Sequence, residues 1–279
     1  MAVRIITDSA SDIVDFDHPN LTVVPLTIAF GDTVYHDGVD LTHERFYELL
    51  VESDSLPSTG APAPGAFAEV YDSAAQSGEE VVVVALSSKL SSTYESACIA
   101  AEGRANVRVV DSLSASIGER ILVERALMMA EQGLPAAQIV QTLEQAKSKI
   151  RVISLFDTLE YLKRGGRISA AAAGVGALLA VKPVISIKDG EVVVLGKARG
   201  SKNGRNLLVQ MVQKSSVDWY QPFALGYTGL SDALLRKYVN DSRALWEGMV
   251  DGLPISTIGG TIGTHSGPGA VLVAYFEKA

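Results

Sequence analysis

"VVVVAL", residues 81–86, runs directly into "SSKLSSTYESA", residues 87–97. Four consecutive valines lack the polar alternation of a half-buried strand, so the segment reads as a strand covered on both faces, at the centre of a sheet. Beyond it, apolar residues recur at three- and four-residue spacing from Ser91 to Arg104, which predicts a helix entered through a serine-rich turn. A strand followed by a helix is the repeating unit of a parallel sheet. Further β-branched runs stand at "VRII" (3–6), "VRVV" (107–110), "RVIS" (151–154) and "KPVISI" (182–187), with amphipathic stretches between several of them. Additional helices are expected over 42–53, 116–132 and 135–149, the last two separated by Gly133 and Pro135. The fold class read from this alternation is α/β with parallel strands.

After Ile150 the pattern changes. "FDTLEYLKRGGRIS" reads as a short helix from Asp157, stopped by Gly165 and Gly166 because glycine accepts left-handed C-cap geometry. "ISIKDGEVVVL" is a hairpin in which Asp189-Gly190 supplies the positive φ angles of a tight primed turn. Strands are expected in "PFALGYT" (222–228), "LPISTIGG" (253–260) and "AVLVAYF" (270–276), and a helix from Leu230 to Trp246. The organisation expected is an N-terminal parallel α/β domain over 1–150 and a C-terminal α+β domain over 151–279.

The chain of 279 residues is 47% hydrophobic, enough for a sizeable core. Thirty-two acids against 24 bases give a net charge of −8 with no long basic run, which argues against nucleic acid as a partner. Cys98 is the only cysteine, so neither an internal disulfide nor a thiolate metal cluster can form. The start, "MAVRIITDSASD", has no basic region followed by an apolar one. The longest apolar stretch, Ala170 to Val181, falls short of the roughly 20 residues a membrane span needs. A cytoplasmic protein with at most transient membrane contact is expected.

Nucleotide fingerprints do not fit. Gly190 to Gly196 followed by Lys197 has five intervening residues where a phosphate loop needs four, and Ala198 stands where a magnesium-binding hydroxyl is required. "GVGALL" (174–179) lacks a third glycine. His36, Asp37, Asp40, His43 and Glu44 cluster in sequence, but between a strand and a helix such residues serve as surface and capping groups. Neither a cofactor nor a metal is expected.

Four loops rich in small hydroxyl residues carry more information: "TDSASD" (7–12), "LPSTGAPAPG" (56–65), "LSSKLSSTYESA" (86–97) and "DSLSASIG" (111–118). In parallel α/β sheets, strand carboxyl ends meet helix amino ends, where unpaired N–H groups and the helix dipole favour an anion. Taken singly, Ser, Thr and Asp before a helix also serve as N-caps, and Asp8 and Asp111 read as structural. Ser91 belongs to a run with more hydroxyls than capping needs, and Thr59 sits in a proline-bounded loop that gives its hydroxyl a defined direction. His265, in "GTIGTHSGPG", is set among glycines that suggest flexible backbone and a close approach to the ring.

Taken in order, "TDSASD", "PSTGAPAPG", "SSKLSSTYESA", "VVDSLSASIG", "LEYLKRGGRIS", "LLAVKPVISI" and "GTHSGPGAV" resemble the DegV family over nearly the whole chain. The resemblance is narrowest to its fatty acid-binding members, the B-type subunits of bacterial fatty acid kinase. It implies a two-domain DegV-like fold with a lipid site between the domains and one long-chain fatty acid enclosed there. Thr59, Ser91 and the N–H of Ser92 would hold the carboxylate, with His265 in the same network and Arg167 beside the histidine. A separate ATP-dependent kinase subunit would phosphorylate the bound acid for phospholipid synthesis, docking at Arg199, near Lys197, Lys202 and Arg205. The tail would lie against "ISAAAAGVGALLAVKPVI" (168–185), a run that is equally readable as a core helix.

The chain departs from the family pattern in three places. Gly60 and Ala61 replace a serine and a glutamine, Ser92 replaces a frequent glycine, and Glu95 stands where glutamine is common. The competing reading is a stand-alone serine hydrolase with Ser91 as nucleophile and His265 as base. It lacks an acid to orient the histidine and a G-x-S-x-G elbow.

Overall fold

The computed structural model describes residues 2–13, 16–168 and 181–278. Strands β1 (Val3–Asp8), β2 (Leu21–Val24), β6 (Glu80–Ala85) and β7 (Val107–Asp111) form an all-parallel sheet in the order β2-β1-β6-β7. The valine run is interior, as its composition demands. Val82 and Val84 pack with Val3 and Ile5 on one face, while Val81 and Val83 pack on the other against Phe67, Tyr71 and Ala97. Those last three come from α2 (Pro64–Gln76) and α3 (Thr93–Ala101).

A second, six-stranded sheet runs β10-β9-β8-β13-β11-β12. It comprises β8 (Ile150–Leu155), β9 (Val181–Lys188), β10 (Glu191–Arg199), β11 (Ala224–Tyr227), β12 (Ile255–Thr257) and β13 (Val271–Phe276). Here the expectation of parallel strands fails for "RVIS" and "KPVISI". They lie side by side as β8 and β9 but antiparallel, and only β11 and β12 pair parallel. The architecture is mixed α/β, with a parallel-sheet N-terminal domain and a mixed-sheet C-terminal domain. Helix α4 (Ile117–Glu131) lies between the sheets and packs against β1 and β6 on one side and β8, β11 and β13 on the other. One core cluster therefore joins Ile5 and Val84 to Val152 and Leu272 through Ile121 and Leu122. The hairpin turn forms as read, with Asp189 and Gly190 both at positive φ.

Several elements escaped the hydrophobic pattern. A small antiparallel sheet, β4-β3-β5, is built from β3 (Thr27–Phe30), β4 (Thr33–His36) and β5 (Ser58–Gly60). The short helix after Asp157 begins only at Glu160 and ends at Arg164, as α6, with Gly166 in the left-handed conformation. Ser201–Gln213, where basic residues drew attention, is helix α7. The helix expected from Leu230 to Trp246 is two pieces, α8 (Ala233–Asp241) and α9 (Arg243–Trp246). Between them the Ser242 hydroxyl donates to the Tyr238 carbonyl at 2.6 Å and accepts from the Trp246 indole at 2.8 Å.

The largest departure concerns "GTIGTHS". It is not a flexible loop but α10 (Gly260–Ser266), wedged between the N-terminal elements and α6. Its glycines serve contact rather than mobility. A methyl group on Gly263 would stand 2.6 Å from Phe46 and 2.8 Å from the Tyr47 hydroxyl of α1 (His43–Glu52). Only a helix stripped of side chains on that face can sit so close.

Buried carboxyl groups hold these parts together. Asp8 accepts from Ala10 N at 3.1 Å and Leu86 N at 2.9 Å, tying the ends of β1 and β6. Asp12 accepts from Gly259 N at 2.7 Å and from the Ser116 hydroxyl at 2.6 Å. Asp37 accepts from Gly260 N at 3.2 Å and Thr261 N at 3.1 Å, capping α10. His43 turns its ring to the Thr257 carbonyl at 3.0 Å. Among the described residues the His36–Glu44 cluster holds no group of three metal-ligating side chains.

Burial pushes Asp8 up to about 6 and Asp12 up to about 8, against the donors each accepts from. Glu119, which accepts from Thr7 at 3.1 Å, is pushed well above the usual carboxylate range by burial and then by Asp8. Groups raised in the fold contribute their stability below the ordinary carboxylate pKa and lose it as pH rises through the folded values. The wild-type protein is therefore expected to lose melting temperature between about pH 4 and 8. Glu119→Gln, isosteric and permanently neutral, should flatten that decline in thermal unfolding scans; an unchanged slope would remove Glu119 from this account.

Candidate functional site

A cavity of about 340 Å³ lies where the two sheets and α10 converge. Its mouth is polar and half-open. Thr59 comes from β5, Ser91 and Ser92 from the turn into α3, Arg167 from the segment after α6, and His265 from α10; all five line the same space. The interior is apolar, with Val152, Phe156, Ile185 and Leu272 from the mixed sheet and Leu86 and Ala115 from the parallel-sheet side.

His265 Nε2 lies 3.0 Å from Thr59 Oγ1. Its other nitrogen is buried without a partner against Gly165, where a methyl group would stand 2.2 Å from Nδ1. Burial, and then the charge of Arg167, lower its pKa to about 4, so the imidazole is neutral near pH 7. A buried N–H without an acceptor costs more than an unused lone pair, which assigns the proton to Nε2. Nε2–H then donates to Thr59 Oγ1, and the threonine O–H is left to donate into the cavity mouth. The histidine thus acts through the threonine, turning it into a donor for an anion.

Ser91 Oγ accepts from Thr93 N at 3.3 Å and lies 2.9 Å from Thr93 Oγ1. With Thr93 as donor, the Ser91 hydroxyl proton is also directed outward. Ser92 is the N-cap of α3 and makes no side-chain capping bond, so the helix amino end faces the mouth. Arg167 donates to the Leu90 carbonyl at 3.1 Å and the Gly165 carbonyl at 2.7 Å, which fixes its cation at the rim. The Thr59 and Ser91 hydroxyls and the Arg167 cation are thus available to an anion at the mouth.

The five residues singled out from the sequence do meet, although Arg167 orients the loop around the histidine rather than the ring itself. Ser91 and His265 do not pair, because Thr93 and Thr59 hold their polar atoms. Glu95 is exposed on α3 and lies outside the lining, so its charge does not enter the site. Gly60 and Ala61 line the mouth without polar side chains. Asp111 is structural as expected, accepting from Ser88 N at 3.2 Å and Leu113 N at 3.0 Å. Arg199 is exposed at the end of β10, with Lys197 two residues before it on the same face. Arg205, by contrast, is occupied by Asp241 at 2.7 Å.

Of the tail wall expected at 168–185, residues 169–180 lie outside the described residues, and Ile185 lines the cavity. Most of the described floor was missed. Val152 and Phe156 show only as alternate positions of a strand, and Leu272 lies more than a hundred residues away. Gly165 was read as a helix stop, while its contact with His265 is a tertiary fact.

The sequence profile of the DegV family, described as an uncharacterised protein family, matches residues 2–278. The chain belongs to the DegV family. A DegV domain-containing protein of Caldanaerobacter subterraneus subsp. tengcongensis is 36% identical over 282 residues, covering 99% of both chains. Among solved structures, a fatty acid-binding DegV family protein from Thermus thermophilus is 31% identical with a TM-score of 0.88, covering 99% of this chain and 100% of its own. A stearic acid-binding protein from Eubacterium ventriosum is 27% identical with a TM-score of 0.87, covering 99% and 98%. These matches span nearly the full length of the chain, so the fold is shared from end to end.

Gly165→Ala in this DegV protein should displace the His265 ring and break its bond to Thr59. Proton NMR of the imidazole is expected to show a titration near the ordinary histidine range instead of about 4. A pKa that stays depressed in the variant contradicts the packing argument.

Proposed function

We propose that this protein binds one long-chain fatty acid, with the carboxylate at the mouth and the tail in the apolar interior, and presents it to a separate ATP-dependent kinase subunit. The observation that carries the reading is the division of one cavity into a donor-lined mouth and an apolar floor. Thr59, Ser91, the N–H of Ser92, Arg167 and His265 hold the head. Burying about 15 methylenes at ~0.8 kcal/mol each contributes on the order of 12 kcal/mol before the costs of association. A carboxylate enclosed without partners is disfavoured by several kcal/mol, which the converging donors offset. The fatty acid-binding relatives support the same assignment.

Catalysis is assigned to the partner. The chain lacks a nucleotide fingerprint, and a neutral histidine acting through a threonine serves binding rather than bond breaking. We assign residues 1–150 to the N-terminal domain and 151–279 to the C-terminal one, a division that falls at the start of β8. Arg199 and Lys197, exposed together on β10, form the docking patch for the kinase. We place the protein in the cytoplasm; among the described residues, no helix is long and apolar enough to cross a membrane.

Native mass spectrometry of freshly purified protein should show a noncovalent acyl chain of fatty acid mass. Thr59→Ala and Ser91→Ala should each weaken retention by roughly tenfold or more, the loss of a hydrogen bond to a charged group. Wild-type retention in both variants removes the head-group assignment. Incubation with a serine-reactive phosphonate should leave Ser91 unmodified, whereas a covalent adduct there would favour hydrolysis. Arg199→Ala should keep the ligand yet slow its phosphorylation by the kinase, and unchanged kinetics would exclude the docking role.

A further inference from the structure

The cavity floor is formed by one face of the mixed sheet. On β8, Ile153 and Leu155 pack into the cluster behind the sheet, while Val152 and the following Phe156 belong to the cluster between the sheets and line the cavity. Alternation puts Ser154 on the same face as Val152 and Phe156, in the middle of that floor. Its cross-strand neighbours are Ile185 on β9 and Leu272 on β13, and both line the cavity as well. Four apolar side chains thus surround a single serine that is 2% exposed.

The other hydroxyl groups of the lining away from the mouth are committed or sealed. Ser116 donates to Asp12 at 2.6 Å, Ser266 to the Gly267 carbonyl at 3.3 Å and Ser186 to the Ile187 carbonyl at 3.5 Å. Thr261 Oγ1 lacks a partner but is sealed inside the protein. The Ser154 hydroxyl has no hydrogen-bond partner among the described residues, and the open space on its face of the sheet is the cavity.

We propose that Ser154 is a second polar station within the cavity, and that it selects fatty acids carrying an oxygen substituent, a hydroxyl or keto group, on the carbon that passes over it. The proposal rests on the fatty acid reading above and deepens it by naming the substrate class. An unsubstituted chain lays methylene over an unpaired hydroxyl, which forfeits that group's hydrogen bond once the chain fills the space. A chain with oxygen at the matching carbon pairs with it, and so satisfies both its own buried polar group and that of the protein. Oxygen at the adjoining carbons along the floor meets Val152, Phe156, Ile185 or Leu272 and is left unpaired. The station therefore reads position as well as chemistry.

The test is calorimetric titration of the full-length, delipidated protein with hexadecanoate and with monohydroxy hexadecanoates whose hydroxyl is walked from the carboxylate end to the methyl end. One internal isomer should bind about tenfold more tightly than isomers to either side of it. Ser154→Ala should bring that isomer down to the level of its neighbours while hexadecanoate binds as well as before or better, and Ser154→Thr should keep the preference. A flat profile in the wild type, or a preference that survives Ser154→Ala, overturns the assignment. Should neither hexadecanoate nor any isomer bind, the fatty acid reading fails and this inference falls with it.

Discussion

Two buried carboxyl groups, Asp12 and Asp37, hold the N-cap amide and the first two amides of a seven-residue helix, and the site is organised around that grip. Gly259 N–H goes to Asp12, while Gly260 and Thr261 N–H go to Asp37. A helix this short has little stability of its own, since most of its backbone groups are end groups. Acids from the N-terminal half supply the missing partners, and Phe46 and Tyr47 of α1 close on its glycine face. His265 is consequently fixed at the far end of a segment that would otherwise be a loop. Its position beside Thr59 follows from contacts made with the opposite half of the chain.

The same arrangement separates the polar from the apolar part of the cavity. Helix α4 lies between the sheets, and beyond its amino end they leave a space floored by β8, β9 and β13. The hydroxyls of Thr59 and Ser91 gather at the rim, where the β5 segment ends and α3 begins, with His265 at the end of α10 beside them. Apolar side chains fill the sheet face behind. A ligand with one anionic end and a long hydrocarbon end matches this polarity along a single axis. Ser154 is the interruption, a hydroxyl where the pleat calls for an apolar residue.

How much of this was legible in the sequence varied with the range of the interactions involved. The valine strand declared its central place, because burial on both faces removes alternation, and Asp189-Gly190 declared its turn through local φ preferences. The resemblance brought Thr59, Ser91, Ser92, Arg167 and His265 forward together. Short elements stayed hidden. β3, β4 and β5 are three or four residues long, too few for a period to show, and α10 reads as a loop because its glycines carry no helical signal. "RVIS" and "KPVISI" were visible as strands, but the direction in which they pair is set by the connection between them and by β13 lying alongside.

By itself the sequence determined the central strands and the longer helices of the first half, the family of the whole chain and the residue types available to meet an anion, since these depend on propensity, periodicity and motif order within short windows. Tertiary structure alone decided that Thr59 would accept a hydrogen bond from Nε2–H, that Gly165 would leave Nδ1 alone, and that Ser91 would turn to Thr93 instead of the histidine. It also decided that Ser154 would face the cavity. Each of these is an ångström-scale relation between segments far apart in the chain, and such relations exist only once the two sheets, α4 and α10 have packed.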